Sequence, residues 1–188
     1  YEVLKEIEKL QPDFEINSRV GQKAGITAIK MLVEIELLRG EYQQAIDCIG
    51  KGLAKKPDDT DLLEDRAKAY FFIGNLDKAR QDAQRRMDIF NLSKKKNKTL
   101  SDISPYIHLI LGKNDEAVRS ASNMIGEEPN NPWLYADRAR VLLALGKKSE
   151  AEKDMEKALS LSNGDPLVKK YLEEIPKSIN HTSGSPQR

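Results

Sequence analysis

The chain has one cysteine, Cys48, one tryptophan, Trp133, and two histidines, His108 and His181. A lone cysteine excludes an internal disulfide framework and a cysteine metal cluster, and leaves a weak lean toward a reducing, cytoplasmic setting. No apolar run approaches the roughly 18 residues of a membrane-spanning helix. Aromatic residues make up only 6% of the 188 positions, which is lean for one spherical core. Neither sign of charge dominates: 31 Lys and Arg stand against 30 Asp and Glu, for a net charge of +1. No whole-molecule field therefore favours nucleic acid or an anionic membrane. Phosphate-binding glycine loops are absent too, since Gly21 and Gly25 lack the lysine that such a loop requires. With no nucleophile beside a histidine and no ligand cluster, the sequence offers no catalytic residues, no metal site and no cofactor. Tyr1 is not a methionine and falls inside a helical pattern, so the chain is expected to be a fragment of a longer polypeptide.

What the chain does contain is a repeat. Gly40 and Ala45, Gly74 and Ala79, Gly112 and Ala117, and Gly146 and Ala151 keep one spacing, and their glycines lie 34, 38 and 34 residues apart. Such a period marks a stacked helical repeat. Each unit reads as two antiparallel helices joined at the glycine, with Ile29, Leu32, Val33 and Leu37 before Gly40, then Ala45, Ile46, Ile49 and Leu53 up to Pro57. A glycine at that joint adopts the left-handed conformation that ends a helix without a Cβ clash. Alanine inside the second helix lets two helix axes approach closely.

These residues resemble the tetratricopeptide repeat (TPR) family. The resemblance rests on the 34-residue register, on small Val33, Ala67 and Ala139 in first helices, and on the glycine turns with their alanines. Gly52 and Ala158 late in second helices and the closing Pro57 and Pro129 add to it. It implies an all-α, right-handed superhelical solenoid of helix-turn-helix repeats. The expected organisation is a partial upstream helix over 1–12, a linker or helix extension over 13–25, and repeats at 26–59, 60–97, 98–131 and 132–165. A capping helix over 166–176 and a disordered tail over 177–188 follow. The second repeat carries four inserted residues. Pro105 falls inside a first helix, which predicts a short helix starting near residues 102–104. Glu36 and His108 occupy positions where the family commonly buries an aromatic ring, predicting looser packing there.

In the family, first helices line a concave groove. The resemblance therefore implies a partner-binding surface made of Lys30, Glu34, Glu64, Lys68, Phe71, Asp102, Tyr106, Trp133 and Arg140. Aromatic and arginine side chains are the commonest interface anchors, which favours Tyr106, Trp133 and Arg140. The two-carboxylate clamp with which some members hold the acidic C-termini of heat-shock chaperones does not fit. Of the matching positions Lys30, Glu34, Asp65, Thr99 and Ile103, only Lys30 has the required type, and Asp65 and Asp137 would repel a carboxylate.

A basic run, Lys94, Lys95, Lys96 and Lys98, is the strongest local charge feature and reads as part of an inserted loop. Solvated lysines are its ordinary reading. Asn91, Asn97 and Asn180 begin glycosylation patterns that only a secreted chain could use. The implied function is a non-catalytic scaffold or adaptor that binds another protein or a peptide segment of it in the groove. Alternatives are a co-chaperone arm that holds unfolded clients and a nucleic-acid or ribonucleoprotein contact through the loop at 94–98.

Overall fold

In the computed structural model, which describes residues 19–95 and 103–173, the backbone turns at four glycines with φ between +73° and +85°: Gly40, Gly74, Gly112 and Gly146. Each follows a helix and closes it in the same way. The residue after the glycine donates its N–H to the carbonyl five residues back: Glu41 to Glu36 at 2.9 Å, Asn75 to Tyr70 at 2.8 Å, Lys113 to His108 and Lys147 to Leu142 at 2.9 Å. This satisfies a carbonyl that the helix end would otherwise orphan. The same residue type in the same conformation thus sets one turn geometry four times.

The helices are α1 (Arg19–Arg39), α2 (Tyr42–Lys55), α3 (Thr60–Phe72), α4 (Leu76–Lys95), α5 (Pro105–Ile110), α6 (Asn114–Glu127), α7 (Pro132–Ala144), α8 (Lys148–Leu161) and α9 (Pro166–Glu173). Among the described residues there is no strand. Helices pair across the glycine turns and each pair stacks on the next, giving an all-α solenoid. Between successive helices, packing is light where α4 meets α5 and lightest where α8 meets α9.

Ala45, Ala79, Ala117 and Ala151 are all fully buried, as are Ala67, Ala139 and Ala158. Gly52 is equally tight: a Cβ there would lie 2.5 Å from Leu62 Cδ1. Helix starts are set by side chains. Asp59 caps α3 by accepting the Leu62 N–H at 3.2 Å, and Asn131 caps α7 by accepting the Trp133 N–H at 3.1 Å ahead of Pro132. Burial alone would raise the Asp59 pKa, but Lys56, Lys30 and that N–H together hold it below its ordinary value. Two bidentate pairs, Arg66 with Asp82 and Arg138 with Asp154, tie the helices of their repeats at 2.7–2.8 Å, and both pairs span sixteen residues.

Three details differ from, or sharpen, the expectations above. α1 is already helical at Arg19, the first described residue, seven residues before Ile26. α5 has only six residues, with Pro105 in its first turn and Ser104 at its N-cap. The inserted residues do not make Lys94 and Lys95 part of a loop: α4 continues through both, because no proline or glycine interrupts Leu76–Lys95. Lys96, Lys98 and Asp102 lie outside the described residues, as do 1–18 and the tail beyond Glu173.

Packing at the alanines should be unforgiving while the solvated face is not. Ala79→Leu is expected to lose about 1–3 kcal/mol through overpacking. Gly50→Ala, on exposed α2 with no atom within 4 Å of the added methyl, is expected to gain about 0.5–1 kcal/mol. Urea unfolding followed by circular dichroism measures both. A tolerated Ala79→Leu would contradict close axial approach.

Candidate functional site

The side chains assigned to a concave groove fall into two groups. On α1, Lys30 is part-exposed and bridges to Asp59 at 2.9 Å and Asp61 at 2.7 Å, and Glu34 is exposed. Met31, between them on the same helix, is 48% exposed, and with Thr27 and Glu34 it makes an open stripe at helical spacing. Glu64, on α3, approaches Arg86 at 3.5 Å, and burial raises its pKa despite that cation.

The second group is closed. Phe71 is 7% exposed, Tyr106 3% and Arg140 0%. These three do not face solvent; they fill the interior of the solenoid, and Trp133 is half-buried beside them. α9 covers Tyr106, Trp133 and Arg140. It packs on α7 and α8 as a cap, but it also reaches α1 at the other end of the solenoid. Its Val168, Tyr171 and Leu172 are buried.

Tyr171 is the centre of the contact. Its hydroxyl accepts a hydrogen bond from Lys68 Nζ at 3.0 Å and donates one to the Asp137 carboxylate. The Tyr106 hydroxyl donates to the same Asp137 oxygen at 3.1 Å, and Lys68 Nζ lies 4.5 Å above the Tyr106 ring. The edge of Trp133 meets the Tyr171 ring at 5.5 Å. The Arg140 guanidinium is sandwiched between Tyr171, 3.9 Å from the ring centroid, and Phe72 at 3.8 Å. Its Nη2 donates to the Tyr42 hydroxyl at 2.7 Å, and Tyr42 stacks on Phe72 at 4.8 Å. Five helices, α2, α3, α5, α7 and α9, therefore supply one aromatic cage around two cations and one carboxylate.

The electrostatics follow from that count. Burial alone would lower the Lys68 pKa, but Asp137 and Tyr171 hold it well above its ordinary value, so Lys68 stays charged. Tyr106 is pushed up, chiefly by burial, and stays neutral. Arg140 keeps its charge with its Nε and Nη1 buried and without hydrogen-bond partners among the described residues.

A separate cleft of about 830 Å³ lies among α3, α4, α5 and α6, beside the shortened α5. Asp61, Glu64, Asp65, Phe90, His108 and Arg119 are among its lining residues. Burial, reinforced by Glu64, Asp61 and Glu34 and opposed by Lys68, raises the Asp65 pKa to about 7. His108 is pushed down by burial and by Lys113. Of the basic run, Lys94 is exposed on α4 with its ammonium 4.6 Å from the Phe90 ring centroid, and Lys95 is on the same helix. No cluster of His, Cys, Asp and Glu among the described residues is arranged to hold a metal, and no described helix is long and apolar enough to cross a membrane.

Sequence reasoning placed Lys68, Tyr106, Trp133 and Arg140 on one surface, and the structure brings these four together. Lys30 and Glu34 stay apart from them. Tyr42, Asp137 and Tyr171 were not singled out as partners of this cluster. Their only sequence signal is a hydroxyl or carboxylate on an otherwise apolar helix face, and that does not say which distant helix it meets.

The Asp65 carboxyl carries a pH signature. Folded, it holds its proton to about pH 7; unfolded, it releases it near the ordinary value of 3.8. The folded state binds more protons between these values, so this group makes stability fall as pH rises through that window. Asp65→Asn is expected to add about 1–3 kcal/mol at pH 8 and little at pH 4, read from urea unfolding at both. An equal effect at both would contradict the burial of this carboxyl.

Residues 108–175 match the family model described as tetratricopeptide repeat. Among solved structures, the crystal structure of MamA is 18% identical, with 85% of each chain covered and a TM-score of 0.40. A tetratricopeptide repeat protein from Parabacteroides merdae is 17% identical over 96% of this chain and 88% of its own, at 0.43. The first TPR of Spaghetti (RPAP3), bound to the HSP90 peptide SRMEEVD, is 20% identical over 86% and 95%, at 0.33. None of these structural likenesses carries an argument about a partner. No curated protein matches the chain.

Proposed function

We propose that this chain, which belongs to the tetratricopeptide repeat family, is a non-catalytic scaffold that holds a segment of another protein on its concave side. Proteins of this family are interaction modules, and they are generally not enzymes. The finer reading, that the concave side is the binding surface, has one observation behind it. What supports it is that Tyr171 of α9 anchors against Lys68, Trp133, Asp137 and Arg140, side chains of the first helices α3 and α7. A surface that seats one short helical segment through an aromatic anchor and flanking charges has the chemistry to seat another.

The open stripe of α1 extends the same side. Met31 supplies an exposed apolar contact, and Lys30 and Glu34 supply charges that fix register more than affinity. A partner of mixed charge fits this stripe. Lys30 is engaged by Asp59 and Asp61, and Asp137 sits within the cage, which supports a partner other than an acidic C-terminus.

Affinity capture from matched lysate, with quantitative mass spectrometry, tests the reading. The unaltered chain is compared with a Met31→Glu, Glu34→Lys variant, both positions exposed and outside the core. Specific proteins lost by about tenfold or more with the variant are the expected result. An identical captured set would remove the concave side as the binding surface.

A further inference from the structure

Arg140 is an unusual residue to find with no exposure at all. A buried guanidinium is ordinarily paired with a carboxylate, and its donors are ordinarily all used. Here Nη2 reaches Tyr42, but Nε and Nη1 reach nothing among the described residues, and the neutral rings of Phe72 and Tyr171 cover the two faces. The one carboxylate of the cage, Asp137, is taken up by Lys68, Tyr106 and Tyr171. Among the described residues the cage is therefore one negative charge short.

The helix that closes the cage does not make up the deficit. Among the described residues, the side chains α9 buries are Val168, Tyr171 and Leu172, and its charged side chains, Lys169, Lys170 and Glu173, all point to solvent. α9 is entered through Asn163 at φ 52° and Gly164 at φ 74°. Its seat is good in shape and poor in charge.

We propose that α9 is a resident, displaceable occupant of the concave side. The partner segment that replaces it is a helical stretch of another protein carrying a tyrosine and, one turn away on the same face, an acidic side chain. The tyrosine takes the place of Tyr171 between Lys68, Asp137 and Trp133. The acid supplies the acceptor that Arg140 Nε and Nη1 lack, which is what lets the partner outcompete a helix already tethered at high effective concentration. This rests on the reading of the concave side as a partner-binding surface and names the ligand class for its closed part.

The test uses the full chain and two helix-stabilised peptides by fluorescence anisotropy. One has the sequence of Pro166–Glu173, and the other has the same sequence with Val168→Glu. The acidic peptide is expected to bind at least about tenfold more tightly than the native one. Its affinity should rise about tenfold again when Leu172→Ala in the chain loosens α9. Adding Tyr171→Ala to the peptide should abolish binding, and Arg140→Met in the chain should erase the acidic peptide's advantage. Equal binding of the two peptides would identify α9 of a second copy as the occupant and overturn the proposal, as would no binding of either.

Hydrogen exchange on the unaltered chain decides the matter without depending on any variant folding. α9 amides should exchange well before those of α7. Equal protection would make α9 a fixed cap and end the proposal. Failure of the peptides with capture still sensitive to Met31 and Glu34 would leave the broader function standing, whereas failure of the capture would not.

Discussion

The stacking of Arg140 between Phe72 and Tyr171 is the contact on which the arrangement of this solenoid depends. A row of helix pairs joined only to its neighbours has no reason to bring its ends together. Here Arg140, on α7, reaches Tyr42 on α2, ninety-eight residues earlier, and Tyr171 on α9 reaches Lys68, one hundred and three residues earlier. Those two long-range bonds pass through one guanidinium and one phenol. They hold α9 against α3, α5 and α7, over Tyr106 and Arg140.

Desolvation makes that arrangement consequential. A cation over an aromatic face is worth roughly 0.5–1 kcal/mol when exposed and about 2 or more when buried. Against this stands the cost of removing Arg140 from water with two of its nitrogens unpaired among the described residues. Replacing such a buried ion by an apolar side chain of similar size is often neutral or stabilising. Stability alone therefore gives no reason for arginine at this position. A charge kept where it is imperfectly satisfied fits a surface that has a second occupant.

Much of the fold was legible because its causes are local. Gly40, Gly74, Gly112 and Gly146 announce their turns by residue type, Ala45 and its counterparts announce close helix contacts, and Pro105 announces a short α5. The length of α4 was equally local: nothing between Leu76 and Lys95 stops a helix, and reading the lysines as a loop gave the repeat length more weight than the absent stop signal. Types at the right register also brought Lys68, Tyr106, Trp133 and Arg140 to one side. That Tyr106 and Arg140 are buried was not legible, because it depends on α9 packing back over them. Neither the cap's own pattern, Val168 then Tyr171 and Leu172, nor any spacing encodes that distance. The Arg66–Asp82 and Arg138–Asp154 pairs lie in between: their shared spacing was visible, but only the packing of first on second helix explains it.

If Tyr171 and Arg140 act together to seat α9 on the concave side, their effects on stability must be coupled. A double-mutant cycle of Arg140→Met and Tyr171→Leu, read as unfolding free energy, measures that coupling. A favourable interaction of about 1–2 kcal/mol beyond the sum of the single effects is expected. Strict additivity would mean that the two side chains are neighbours without being partners, and that something other than this contact holds α9 in place.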